Sequence, residues 1–104
     1  MGETLLGLDI GSSSVKASLV DVESGRPLAQ ATSPVQEMEI QSPYPGWAEQ
    51  RPEVWWEHAC HCIQCIKGSH PAQLQQLKAI GVAYQMHGLV LVDREGSSLR
   101  PAII

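Results

Sequence analysis

The sequence predicts an α/β fold with a mixed sheet, built from elements in the order β-β-β-α-β-β. Residues 6–21 alternate between apolar and polar side chains on both sides of a glycine–serine turn, which is typical of two strands. Residues 52–66 place apolar side chains at helical spacing, and the short apolar run at 77–84 has the length of a buried strand. With 104 residues, the chain has room for one small domain at most.

The first two strands form a predicted hairpin, with strand one at 4–10 and strand two at 15–22. The turn between them holds Gly11 and three serines, whose small side chains leave backbone N–H groups uncovered. Uncovered N–H groups in a turn form a concave anion site, and the carboxylate of Asp9 suits such a site if a metal ion lies between it and the anion. The alternative is an ordinary hairpin in which Asp9 caps the turn.

A third strand and a long loop follow the hairpin. Residues 23–26 form a turn in which Gly25 supplies a positive φ, and the third strand runs from about 27 to 35. Residues 36–51 are predicted to be loop because prolines and glycine are dense there. The three strands are therefore expected to form an antiparallel meander.

One helix and two further strands complete the predicted order. Pro52 suits the first helical position, and Glu53 complements the helix dipole. The apolar face of this helix is expected to pack on the sheet and consists of Trp55, Trp56, Ala59, Ile63 and Ile66. A strand at 77–84 and another at 89–92 lead towards the final apolar stretch.

This order of elements is that of the opening half of a ribonuclease-H-like fold, as found in actin-like ATPase domains. A dinucleotide-binding fold would instead place a helix directly after the glycines of the first strand. Neither a G-x-G-x-x-G nor a G-x-x-x-x-G-K-[ST] sequence is present.

Composition and charge argue against several classes of function. The net charge is −4 with the acidic groups dispersed, whereas a nucleic-acid-binding surface needs a basic stripe. No apolar run approaches the length of a membrane span, and the N-terminal residues lack the basic region of a signal peptide. Three clustered cysteines cannot all pair, so we expect a cytoplasmic, reducing environment.

Two further stretches carry side chains that are candidates for a functional role. Met86 and His87 come directly after a predicted buried strand, and ligands in α/β sheets gather at the carboxyl ends of parallel strands. A lone histidine is nevertheless more often structural. Trp47 lies in the predicted loop and either packs over the edge of the domain or borders a ligand, whereas Trp55 and Trp56 are predicted to be core residues.

A group of histidines and cysteines on the helix raises the hypothesis of a zinc site. His58, His61, Cys62 and Cys65 share one helical face, and His61 with Cys65 has the spacing of a metal-binding pair. A single helix cannot wrap four ligands tetrahedrally around one ion. The favoured interpretation is therefore that Cys62 flanks the core and the other three lie on the polar side.

Three stretches together resemble the N-terminus of the FGGY family of carbohydrate kinases, and of its bacterial xylulokinase-like members in particular. They are LGLDIGSSSVKASLVD at 6–21, PGWAEQRPEVWW at 45–56, and AIGVAYQMHG at 79–88 with the LRPAI ending. The run QMHG is the most specific of them, because glycerol-kinase-like members carry a different sequence there. The resemblance covers essentially the whole chain.

The resemblance implies a role for each polar residue of the hairpin. Asp9 matches the acidic residue that helps to hold Mg²⁺ through water near the phosphates of ATP. Gly11, Ser12 and Ser13 match the turn that contacts those phosphates, and Lys16 matches the basic position that follows it.

The resemblance also implies a sugar site after the buried strand. Met86 and His87 match the pair that touches the sugar: His87 would hydrogen-bond a hydroxyl, and Met86 would pack against the carbon skeleton. One position departs from the family, since Arg51 stands where an Asp commonly precedes the helix proline. This change forfeits about 1 kcal/mol of helix capping.

The implied activity is ATP-dependent phosphorylation of a ketose sugar, D-xylulose to D-xylulose 5-phosphate. The family's catalytic base and adenosine pocket lie beyond residue 104. Residues 1–104 are therefore expected to be the N-terminal portion of an N-terminal domain, inactive alone, with the rest of that domain and the whole C-terminal domain absent. Strands without neighbours favour a homodimer. The alternatives are a kinase for another pentulose or polyol, a non-enzymatic ATP-binding module of the actin or Hsp70 kind, and a small metal-binding protein.

Overall fold

The computed structural model describes residues 2–104, and these contain six strands and two helices. The strands are β1 (Thr4–Ile10), β2 (Val15–Asp21), β3 (Pro27–Ser33), β4 (Glu49–Gln50), β5 (Leu77–Tyr84) and β6 (Ala102–Ile103). The helices are α1 (Pro52–Ser69) and α2 (Pro71–Leu74). The predicted bounds of the first strand and of the strand at 77–84 are confirmed, as is the start of the long helix.

Four strands form one mixed sheet in the order β3-β2-β1-β5. β1 pairs antiparallel with β2 and parallel with β5, and β2 pairs antiparallel with β3. The predicted meander and the predicted mixed sheet are therefore confirmed. β5 is an edge strand with mostly exposed residues, so the predicted burial of this strand is wrong; α1 lies over β2 and β3 and leaves β5 uncovered. The free backbone edge of β5 is open to a further strand.

Helix α1 covers one face of the sheet, mainly over β2 and β3. Because side chains alternate along a strand, this face buries every second residue of β1 and β2 and leaves the others on the opposite, open face. The core under α1 consists of Leu6, Val15, Ala17, Leu19, Met38, Ala59, Cys62 and Ile66. Within residues 2–104, no helix combines the length and the apolar character that crossing a membrane requires.

The buried face of α1 differs from the predicted one. Trp56 is 72% exposed, so its assignment to the core is wrong, whereas Cys62 is fully buried. Trp55 is half-buried and packs against the core. Since α1 lies over β2 and β3, Trp56 faces the gap beside β5, where it lines an apolar cavity together with Leu8 and Val82.

The N-terminus of α1 lacks a side-chain cap. Arg51 is the N-cap residue, and its side chain makes no cap hydrogen bond. It instead approaches the carboxylate of Glu53, with 3.8 Å between Nε and Oε2, in an exposed pair that contributes little to stability. The helix therefore begins where the sequence predicts, with the first position set by Pro52.

Two strands end earlier than predicted. β3 stops at Ser33 because Pro34 has no N–H to donate to the ladder. β2 stops at Asp21, whose carboxylate accepts hydrogen bonds from the hydroxyl and the backbone N–H of Ser24 at 2.7 and 2.9 Å. These hydrogen bonds lower the pKa of Asp21. The predicted turn follows, with Gly25 at φ 72°.

The predicted strand at 89–92 does not form. Leu89 bridges to Ile103 and Val92 bridges to Ser98, both antiparallel. The two bridges differ in register, so they do not join into one continuous ladder.

The last strand of the chain pairs with a segment that the sequence predicts to be loop. β6 pairs antiparallel with β4, which lies within 36–51. The carboxylate of Glu49 is buried at this ladder and pairs with the guanidinium of Arg100. About fifty residues separate the two partners, so no local pattern indicates the ladder. The short helix α2 also has no counterpart in the predicted order.

Replacing neighbouring leucines of β1 tests the assignment of its two faces. Leu6 is 2% exposed under α1 and Leu5 is 39% exposed on the open face. We expect Leu6→Ala to lower the free energy of unfolding by about 2–5 kcal/mol. Leu5→Ala should lower it by about 1 kcal/mol or less. Urea unfolding followed by tryptophan fluorescence measures both, and equal losses would contradict the assignment.

Candidate functional site

The β1–β2 hairpin places a carboxylate and an ammonium group side by side on the open face. Asp9 and Lys16 are direct cross-strand partners, and both side chains are exposed. The alternation that buries Leu8 and Ala17 towards α1 requires this placement. The structure thus brings together two of the residues that the sequence singles out.

The turn that joins the two strands, called here the β1–β2 turn (Gly11–Ser14), is tight. The N–H of Gly11 donates to the carbonyl of Ser14 at 3.0 Å. A Cβ atom on Gly11 would lie 2.8 Å from that same carbonyl oxygen, closer than real contacts allow. Glycine is required at this position by close approach of the backbone.

The β1–β2 turn presents backbone donors, as predicted. The carbonyl of Ser12 accepts a hydrogen bond from Nε2 of Gln50 at 2.7 Å, and the carbonyl of Ser13 accepts one from the N–H of Met38 at 2.8 Å. Within residues 2–104, no backbone acceptor takes the N–H of Ser12, Ser13 or Ser14. Successive unpaired N–H groups of this kind bind anions.

The segment after β5, called here the QMHG segment (85–88), starts beside the end of β1. The N–H of Gln85 donates to the carbonyl of Ile10 at 3.0 Å. Because β1 and β5 run parallel, their carboxyl ends meet at one edge of the sheet. Met86 and His87 therefore follow β5 at the same edge at which the β1–β2 turn follows β1.

The QMHG segment has an unusual backbone conformation. His87 has a φ of 64°, in the left-handed region that non-glycine residues adopt rarely and that often marks functional positions. Met86 is 76% exposed, and His87 is exposed as well. Nε2 of Gln85 is buried without a hydrogen-bond partner among residues 2–104. Such a buried donor is costly unless something else accepts from it.

A shallow cavity of about 540 Å³ extends over the open face. Its floor is smooth because Gly7 of β1 and Gly81 of β5 are paired neighbours without side chains. Asp9, Lys16 and Thr32 line its wall with a carboxylate, an ammonium group and a hydroxyl. A carboxylate next to a turn with unpaired N–H groups is a donor set that suits Mg²⁺ bound together with phosphate oxygens.

Trp47 lies at the edge of the domain, away from the hairpin. It packs edge-on against Tyr44, with 4.7 Å between ring centroids, and is half-exposed. With Arg100 and Ile103 it lines an apolar cavity of about 220 Å³. The packing of Trp47 on Tyr44 is observed, and the alternative role of bordering a ligand stays a prediction.

Packing places the histidine and cysteine residues of α1 in different surroundings. Cys62 is fully buried, and its thiol donates to the carbonyl of Val15 at 3.3 Å. Burial raises the pKa of this thiol, which disfavours the thiolate that binds metals. His58 instead shares a 2.8 Å hydrogen bond between its Nδ1 and Oγ of Ser33. No cluster of three or more potential metal ligands occurs in the described residues.

Two glutamines at the site have buried side-chain atoms, which the sequence does not predict for either of them. Gln50 lies in the predicted loop, yet it is buried and contacts the β1–β2 turn. Gln85 follows directly after β5, yet Nε2 of its side chain is buried. Both roles depend on long-range contacts that periodicity and turn chemistry do not report.

Known proteins are similar to this chain in sequence and in fold. The xylulose kinase of Escherichia coli (strain K12) is 38% identical over 99 residues, which are 95% of this chain and 19% of that protein. The crystal structure of a xyloylose kinase from Brucella ovis is 38% identical to this chain and has a TM-score of 0.91. The match covers 98% of this chain and 21% of that one. Plasmodium falciparum glycerol kinase with ADP has a TM-score of 0.77 at 19% identity, with 99% of this chain and 20% of that chain covered, which shows likeness of fold.

The chain spans about a fifth of the length of these relatives. Residues 4–104 match the N-terminal domain of the FGGY family of carbohydrate kinases. The predicted fold class, the opening part of a ribonuclease-H-like, actin-like ATPase domain, is confirmed by the shared fold of the sugar kinases. The chain belongs to the FGGY family of carbohydrate kinases.

Proposed function

We propose that residues 1–104 form the N-terminal portion of the N-terminal domain of a longer kinase. This kinase transfers the terminal phosphoryl group of ATP to D-xylulose and gives D-xylulose 5-phosphate. One observation carries the proposal: the β1–β2 turn, with its unpaired N–H groups, and the QMHG segment lie at the same edge of the sheet. The names of the relatives that are 38% identical support xylulose as the sugar.

The nucleotide side of the proposed site is the hairpin. Gly11, Ser12 and Ser13 would contact the phosphates through the backbone, and Lys16 would add positive charge nearby. Asp9 would hold Mg²⁺ through water, which fits an exposed carboxylate because Mg²⁺ keeps several of its waters in sites shared with phosphates. Mg²⁺ would offset negative charge on the phosphates during transfer.

The sugar side of the proposed site is the QMHG segment. The imidazole of His87 would hydrogen-bond a sugar hydroxyl, and the thioether side chain of Met86 would pack against the carbon skeleton. Both residues are exposed and so accessible to a ligand. The left-handed backbone of His87 supports a functional role, since such strain persists where the surroundings hold it in place.

The remaining parts of the reaction are assigned to the rest of the longer polypeptide. Phosphoryl transfer needs a base for the sugar hydroxyl and a pocket for adenosine, and we place both beyond residue 104. This chain alone is then inactive. The choice of xylulose over another pentulose or a polyol rests on the relatives, because a glycerol kinase shares the same fold. Cytoplasmic location and homodimer formation remain predictions from the sequence.

A methyl group at Gly11 tests the role of the β1–β2 turn. In the full-length kinase, Gly11→Ala should raise the KM for ATP by about tenfold or more, because the added Cβ would displace the backbone donors. Gly68→Ala is the matched control, since nothing lies within 4 Å of its added Cβ. That variant should leave both KM values unchanged. Steady-state kinetics decide, and an unchanged KM for ATP in Gly11→Ala would contradict the proposal.

The imidazole of His87 is predicted to act on the sugar. His87→Ala should raise the KM for D-xylulose by about tenfold or more through loss of a hydrogen bond, and the KM for ATP by less than about twofold. His61→Ala, at an exposed position of α1, is the control and should change neither value. Equal increases in both KM values would remove His87 from the sugar site.

The carboxylate of Asp9 is predicted to support turnover. Asp9→Asn keeps the shape of the side chain and removes its charge, so kcat at saturating Mg²⁺ should fall by about tenfold or more. Glu57→Gln removes one charge from the exposed surface of α1 and should leave kcat unchanged. Unaltered turnover of Asp9→Asn would rule out the proposed role.

A further inference from the structure

Gln50 connects three separate segments of the chain through one buried side chain. Gln50 lies in strand β4 and is 2% exposed. Nε2 donates to the carbonyl of Ser12 at 2.7 Å and to that of Glu39 at 3.3 Å. Oε1 accepts from the indole N–H of Trp55 at 2.7 Å. The amide thus links the β1–β2 turn, the long loop and the first turn of α1.

The orientation of this amide follows from the chemistry of its partners. An indole N–H is a donor only, so it must face the oxygen of the amide. The NH₂ group then faces the two backbone carbonyls, which are acceptors only. Three of the four hydrogen-bonding positions of the side chain are used. Neither a carboxylate nor an apolar side chain makes the same set of bonds.

These contacts determine which way the N–H groups of the turn point. A trans peptide unit directs its C=O and its N–H to opposite sides. Holding the carbonyl of Ser12 towards Gln50 therefore turns the N–H of Ser13 away from it. The N–H of Met38 holds the carbonyl of Ser13 in the same manner, which turns the N–H of Ser14 away from Met38.

We propose that Gln50 is a positioning residue, which orients the peptide units of the β1–β2 turn so that their N–H groups bind the phosphates of the nucleotide. The inference rests on the proposed function, since that function supplies the phosphates. Gln50 itself does not touch the nucleotide; it acts through the carbonyl of Ser12. Its backbone is held independently, by pairing with Ala102 of β6.

Gln50→Glu is the sharpest test, because it keeps the size of the side chain and the acceptor for Trp55 but removes the donor. In the full-length kinase, its KM for ATP should rise about tenfold or more, because a carboxylate then faces two carbonyl oxygens. The KM for the sugar should change by less than about twofold. Gln75→Glu is the matched control, at an exposed residue after α2, near the opposite end of β1.

The pH dependence of the KM for ATP of Gln50→Glu distinguishes a positioning role of Gln50 from a general loss of structure. Below its pKa, which burial raises, the new carboxyl is protonated and donates one hydrogen bond again. The defect in KM for ATP should therefore shrink as the pH falls, relative to the wild-type protein at the same pH. The other ionisable groups that line the cavity beside Gln50 are Glu39, Arg51 and His58, and the wild-type profile corrects for them. A defect that stays constant with pH would overturn the positioning role.

A second measurement is independent of nucleotide binding. In ¹⁵N-labelled chain without ligand, Gln50→Glu should shift the amide resonances of Ser13 and Ser14, and Gln75→Glu should leave them in place. Unshifted resonances would overturn the inference while the proposed function stands. A wild-type kinase that does not bind ATP would instead overturn the proposed function. Equal rises in both KM values of Gln50→Glu would also contradict a positioning role.

Discussion

The pairing of β1 on both of its sides is the constraint on which the rest of the structure depends. Antiparallel pairing with β2 sets the register that places Asp9 beside Lys16. Parallel pairing with β5 brings the carboxyl ends of two strands to one edge. Because side chains alternate along β1, core residues and polar candidate residues lie on opposite faces of the sheet. Leu6 packs under α1, and Asp9 lies on the open face.

The site at this edge is not formed by local sequence alone. The β1–β2 turn closes on itself through one backbone hydrogen bond, but its two middle carbonyls are held by residues of the long loop and of β4. β4 in turn is held by β6, near the other end of the chain, with the buried pair of Glu49 and Arg100 at the ladder. The geometry of the turn therefore depends on contacts across nearly the whole chain.

This arrangement suits a reaction in which positioning and electrostatics do most of the work, as in phosphoryl transfer. Backbone N–H groups need no change of protonation and little reorganisation, so a rigid turn is an effective binding site for phosphate. An exposed sheet face and a free β5 edge accompany the site. This chain spans about a fifth of the length of its relatives. In a longer polypeptide, further segments can cover the exposed sheet face and pair with the free edge of β5.

The sequence alone determined the meander, the start of α1, the strand at 77–84 and the family, because alternation, helix signals and short motifs are local properties. It also singled out Asp9, the β1–β2 turn and the pair Met86–His87, whose roles remain predictions. Only the tertiary structure decided that Trp56 is exposed, that β4 and β6 pair, and that Gln50 holds the turn. These features arise from contacts between segments far apart in the chain, and no period or turn signal encodes which distant partner a residue meets.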